Sequence, residues 1–228
     1  MRKLLSAAIT AGATSALVAA LAVSPAAATT TTWTVTPGGA FISTIARPTA
    51  LQDIHFGGKR YACQPIKMTG AFHSGSGLAN PIGQIASVRG PKARTILCAI
   101  PGSAFLMTVT HFPMGISAFH YDAATGVTHG VITGIHINLS TAPGGPGPCT
   151  GTIDGTGPNA HNGKVPFTYT NTGGQLPGEL DFSGNLINLT AYNVTGCRGQ
   201  IHNGDNFVWQ VMAFPRTMAG TANTITSP

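Results

Sequence analysis

Two-residue alternation of apolar and polar side chains, cut every few positions by glycine or proline, governs what this chain can fold into. "TWTVTPGG" sets Trp33 and Val35 on one side of an extended strand and Thr34 and Thr36 on the other, then turns at Pro37-Gly38-Gly39. "DIHFGGKRYAC" reads as a hairpin about Gly57-Gly58 that leads Cys63 into a strand. In "AFLMTVTHF" the residues Phe105, Met107, Val109 and His111 share a face. "AFHYDAATGVTHGVITGIHINL" reads as a second hairpin, with Gly126 supplying the positive φ near the end of its turn. "KVPFTYTN", "LINLTAYNV" and "NFVWQVMAF" follow the same rule, and no segment sustains a helical period. Thirty glycines and sixteen prolines punctuate these runs. The pattern predicts an all-β fold: a single antiparallel β-sandwich or closed β-barrel of roughly a dozen strands. The terminal strands should pair or lie close, with Trp33 and Trp209 facing one core, because all-β domains gain by hiding edges.

The N-terminus predicts the compartment. Arg2 and Lys3 precede an uncharged stretch from Leu4 to Val23, which Ser24-Pro25 breaks before Ala26-Ala27-Ala28. This reads as a secretory signal peptide over 1–28, cleaved to leave one β-domain over 29–228. A membrane anchor is the competing reading, but the many small residues and the Ala-Ala-Ala exit favour cleavage. No later segment is long and apolar enough to span a bilayer. The expected localisation is therefore secreted, extracellular. The Gly/Pro-rich stretch at 142–148 could link two domains, and reads better as a rigid loop inside one.

Cysteine usage agrees with export. Cys63, Cys98, Cys149 and Cys197 are an even set with no C-x-x-C pair, which implies two disulfides. Of three possible connectivities, Cys63–Cys98 with Cys149–Cys197 staples the two halves separately and is favoured. Each bridge would then contribute on the order of 4 kcal/mol by loop entropy.

Charge is scarce, at 8% of residues against roughly 25% in an average globular protein. Disorder is excluded, because 43% of residues are hydrophobic and fall in patterned runs. Without the leader, ten basic residues face six acidic ones, a net charge of +4. The bases stand singly or in small groups, Lys59-Arg60 and Arg89/Lys92/Arg94, and lack the dense aromatic-interleaved stripe of a nucleic-acid surface.

Catalytic patterns fail one by one. Glu179 and Asp181 share a strand face about 7 Å apart, within the range of a glycosidase pair, yet both would approach a substrate from one side. Asp53 and His55 share a face, but no G-x-S-x-G elbow supplies a nucleophile. "GPNAHNGKV" misses the phosphate-loop spacing by one residue and has Val165 where a hydroxyl is needed. Eight histidines form neither H-x-H nor H-E-x-x-H. Parity places His129 with Val127, Val131 and Ile135, and His136 opposite. His120 and His129 should be diagonal neighbours at best. We expect His111 and His129 to be half-buried and hydrogen-bonded, and the other histidines solvated. "NVTGCRGQIHNGD" gathers Cys197, Arg198, His202 and Asp205, but its glycines and Asn203-Gly204-Asp205 mark a turn anchored by a disulfide. No catalytic residue, metal ligand or cofactor-binding residue is assigned.

"WTVTPGGAF", "YDAATGVTHGVITGI", "YNVTGCRGQIHNGD" and the terminal "TITSP" together resemble a group of small secreted actinomycete β-rich proteins of unassigned function. The resemblance spans most of the mature chain. It implies an exported β-domain, supports the sequential disulfide pairing and carries over no catalytic residue. "VRGPKARTILCAIPG" is more basic than that group's pattern, and the chain is richer in histidine.

The functional expectation is a secreted, non-enzymatic β-domain with an extracellular binding or structural role. Its partner would be anionic cell-wall polymer, an envelope surface or another extracellular protein. A small apolar ligand carrier, or an extracellular polymer hydrolase, would be the alternatives. Sequencing the N-terminus of exported material is expected to read from Thr29; a start at Met1 would remove the cleaved-leader reading.

Overall fold

The computed structural model describes residues 31–45, 49–54, 58–145, 147–171, 178–182, 188–213, 215–217 and 221–228. The expected leader at 1–28, His55, Gly57 and Pro146 lie outside this set. Among the described residues, nineteen strands form two wholly antiparallel sheets. In the small sheet, β1 (Trp33–Thr36) lies between β6 (Gly75–Leu78) and β19 (Thr224–Thr226). The first and last of these strands therefore pair directly, Val35 opposite Ile225.

The large sheet has two arms. The first runs, neighbour to neighbour, through β16 (Thr190–Gly196), β13 (Cys149–Asp154), β12 (Ile137–Thr141), β9 (Ser103–Val109), β8 (Ile96–Ile100), β4 (Arg60–Cys63) and β3 (Thr49–Asp53). The second runs through β15 (Glu179–Phe182), β14 (Gly163–Thr170), β11 (Val127–Ile135), β10 (Met114–Asp122), β7 (Gly83–Arg89), β5 (Lys67–Phe72), β2 (Gly39–Thr44) and β18 (Arg216–Thr217). Between them β17 (Phe207–Ala213) pairs its first four residues with β3 and its last three with β15.

This corrects the expected sandwich or closed barrel. The architecture is a curled antiparallel half-barrel with a small second sheet. The physical reason is that one staggered strand joins the arms, while the outer strands β16 and β18 do not meet to close the ring. The strand number exceeds a dozen because the long alternating runs break where the chain passes from one arm to the other. Several links carry the chain between the arms, and three of them adjoin: β9 into β10 through 110–113, β11 into β12 at His136, and β13 into β14 through 155–162. Strands that change sheets in this way turn a corner. The three corners lie side by side as a seam.

Alternation supplies the core. β9 and β14 bury every second residue, and Trp33 and Trp209 belong to one buried cluster with Phe41, Tyr61, Phe167 and Ile225. The Gly/Pro-rich stretch at 142–148 lies between β12 and β13, which pair with each other. Cys63 joins Cys98 across the adjacent strands β4 and β8, and Cys149 joins Cys197 at the far end of β13.

The parity expected for β11 holds for Val127, His129 and Val131, which share a face, and fails for Ile135. In β11 the inward residues are Thr128, Gly130 and Ile132, while Val127, His129 and Val131 face outward. Gly130 lies directly opposite Phe167, whose ring covers it. The inner face there is apolar because the neighbouring strand lends a ring, which the sequence of β11 alone does not show. Phe41 opposite Gly70 and Phe72 opposite Gly83 repeat the device. A bulge between Thr133 and Ile135 then returns Ile135 to the interior.

A Cβ at Gly130 would overlap the Phe167 ring and stand 2.5 Å from the Ser117 carbonyl oxygen. Gly130→Ala is therefore expected to destabilise the protein by about 1–3 kcal/mol through overpacking. Denaturant titration measures this, and an unchanged midpoint would contradict the covered-glycine packing.

Candidate functional site

Two neighbouring features at the seam concentrate this chain's scarce polar chemistry. The first is a buried carboxylate with three imidazoles. Asp154 ends β13 fully buried. Its Oδ1 accepts from the backbone N–H groups of Gly155 (2.7 Å) and Asn162 (3.1 Å), and its Oδ2 from that of His161 (3.0 Å). The same Oδ2 meets His136 Nδ1 at 2.7 Å. Burial acts to raise the Asp154 pKa, but the imidazole and the three backbone donors outweigh it and hold the carboxyl below its ordinary value.

Each of the three corners contributes one ring. His136 stacks on His161 with centroids 4.4 Å apart and planes 17° apart. His111 meets the other side of His161 edge-on at 4.5 Å. His161 adopts a left-handed backbone, φ 53°, which aims its N–H at Asp154 while its ring enters the stack. The sequence expectation for His136 was a solvated ring, and this is corrected: it is 4% exposed, because the strand breaks there and turns the residue into the seam. His111 and His129 are both half-buried, His111 within this stack and His129 on the outer face of β11.

The second feature is an open groove of about 470 Å³ where β7 and β9 diverge. Arg89, Arg94, Ser87 and Thr108 line it together with the apolar Val109 and Phe112. Phe112 and His111 are consecutive, so the groove and the imidazole stack share the corner between β9 and β10. Beyond Ile85, β7 pairs only with β5, so Ala86–Arg89 has no strand partner on its groove side among the described residues. Lys67 lies opposite Arg89 on β5 and lines a separate pocket with Pro65 and Pro91. A signal for this groove existed in the sequence: residues 54–121 hold six Lys or Arg and no acid. The basic group was visible, but nothing local showed that two strands part beside it.

The remaining candidates do not converge. Glu179 and Asp181 lie half-buried on the outer face of β15. Asp53 and Asp154, which a polymer-cleaving site would need across a cleft, are fully buried. The stretch 193–205 is a turn: Cys197–Gly199 form one 3-10 turn, Asn203 Oδ1 accepts from Val194 N–H, and Asp205 Oδ2 accepts from His202 N–H at 2.7 Å. Burial raises the Asp205 pKa against that N–H bond, and the charge of Asp53 adds to the rise. Lys59 and Tyr61 both donate to the Gln200 carbonyl and hold the turn on the sheet. An apolar void beside Met68, Ile132 and Trp209 measures about 10 Å³, room for about one water.

Because its folded pKa is depressed, Asp154 contributes stability that is present above the ordinary value of 3.8 and lost as pH falls through the folded value. Asp154→Ala is expected to cost about 3–5 kcal/mol near pH 7, as for a broken buried pair. The gap between variant and wild type in thermal melts should narrow towards pH 3, and a gap independent of pH would show that the carboxylate charge is not what matters.

No known protein family, curated protein or solved structure matches this chain.

Proposed function

We propose that this chain is a secreted, non-enzymatic binding protein whose groove between β7 and β9 holds an extended anionic polymer of the cell wall. The observation that carries this reading is the groove itself: two arginines among the polar and apolar residues that line it, in a stretch of chain without acids. Guanidinium groups suit phosphate and carboxylate because their fork of donors matches both geometries. The open edge of β7 offers backbone donors and acceptors to the hydroxyl and amide groups of an extended chain. Secretion is supported by the leader-like N-terminus and by two disulfides, and no helix among the described residues is long and apolar enough to cross a membrane. The resemblance to secreted actinomycete β-rich proteins agrees with this reading. A ligand carrier would need an apolar cavity of several hundred Å³, far above the void beside Trp209.

The test is co-sedimentation with isolated anionic cell-wall material. Wild type should be retained at low salt and released at high salt. Replacing both arginines, Arg89→Gln with Arg94→Gln, should weaken retention about tenfold or more, equivalent to about 1.4 kcal/mol. Equal retention of the variant and wild type would place the binding surface elsewhere.

A further inference from the structure

The outer face of β10 and β11 carries a pair of histidines that the fold goes out of its way to assemble. In β10 the inward residues are Met114, Ile116 and Ala118, so unbroken alternation would send His120 inward. A bulge between Ala118 and His120 inserts Phe119 and reverses the parity. Phe119 is left 56% exposed, Tyr121 packs against the core, and His120 emerges on the solvent side directly opposite His129. The sequence reading placed these two as diagonal neighbours at best; the bulge makes them an in-register pair. Bulges commonly re-aim a side chain at functional positions.

The rings lie with centroids 5.7 Å apart and planes tilted by 31°. An imidazole nitrogen binds zinc at about 2.0–2.1 Å, which sets each ring centre about 3.2 Å from the ion. Two such rings at an N–metal–N angle of about 105–140° have centres about 5–6 Å apart. The observed separation is compatible with two imidazoles sharing one ion. The seam rings differ in kind, because His136 and His161 pack face to face and leave no room between them.

The surroundings favour a cation. The three acids that are not buried all share this outer face: Asp122 on the same strand as His120, and Glu179 and Asp181 on β15. The register runs His120, His129, Thr168, Asp181 across four adjacent strands. Strand spacing puts Asp181 about 10 Å from His129, which is too far to ligate but near enough to contribute field. Asp122 is committed to the N–H of Ala124 and the hydroxyl of Thr125.

We propose that His120 and His129 form a surface site for a divalent transition-metal ion of the zinc and copper class, completed by water. No group of three or more His, Cys, Asp or Glu among the described residues is arranged to hold an ion, so the site is a two-imidazole chelate with open positions. Imidazole is a ligand suited to these ions, whereas calcium and magnesium prefer oxygen. The site lies apart from the anionic groove and stands whether or not that groove binds polymer.

The experiment is a Zn2+ titration of the whole protein, followed by calorimetry and by the ring resonances of its histidines. One equivalent should bind, with the signals of His120 and His129 moving together and before those of the other histidines. His120→Ala and His129→Ala are both substitutions on the outer face and should each weaken Zn2+ binding at least tenfold, and Mg2+ should move neither ring. Full-strength binding in the double variant, ring shifts centred on other histidines, or no binding at millimolar Zn2+ would each overturn the site.

Discussion

Asp154 is the interaction on which the architecture turns. Three adjoining links must bend the chain between the arms, and a bend in a sheet leaves backbone N–H groups without ladder partners. A single carboxylate collects three of them from the 155–162 corner and ties the 136 corner through an imidazole. Neutral acceptors would need several residues to do the same. Asp154 is one of three fully buried carboxylates, with Asp53 and Asp205, and it is the one placed at the seam. Thr110 N–H donating to the His136 carbonyl links the remaining corner, so all three bends share one polar node.

The groove follows from that node. Its apolar residues Val109 and Phe112 flank the first bend, and the divergence of β7 from β9 is the opening left when the sheet turns. The corner that closes the core on one side thus leaves a channel on the other. Arg89 and Arg94 line this channel, while the three unburied acids lie on β10 and β15.

Much of the fold was legible because alternation and turn residues are local signals. Trp33 and Val35 point inward as their pattern says, and the pairing of β1 with β19 agrees with the need to hide terminal edges. What escaped was non-local. The inner face of β11 contains a glycine that reads as blank until Phe167 of the next strand is laid over it. The bulge at Phe119 costs no unusual residue, so "SAFHYD" gives no sign that parity reverses there. His136 sits in an apolar run, and nothing nearby announces the partner eighteen residues later that makes its burial favourable. The groove needs two strands to part, and parting is a property of topology.

The pairing of β1 with β19 has a temporal consequence. The first strand gains its outer partner only from residues 224–226, almost two hundred positions downstream. Until those residues are present, Trp33 and Val35 have β6 alone beside them, and a two-stranded ribbon is marginal in water. The strand that carries Trp33 and Val35 is therefore completed late, after local pairs such as β2 with β5 and β3 with β4 can already form.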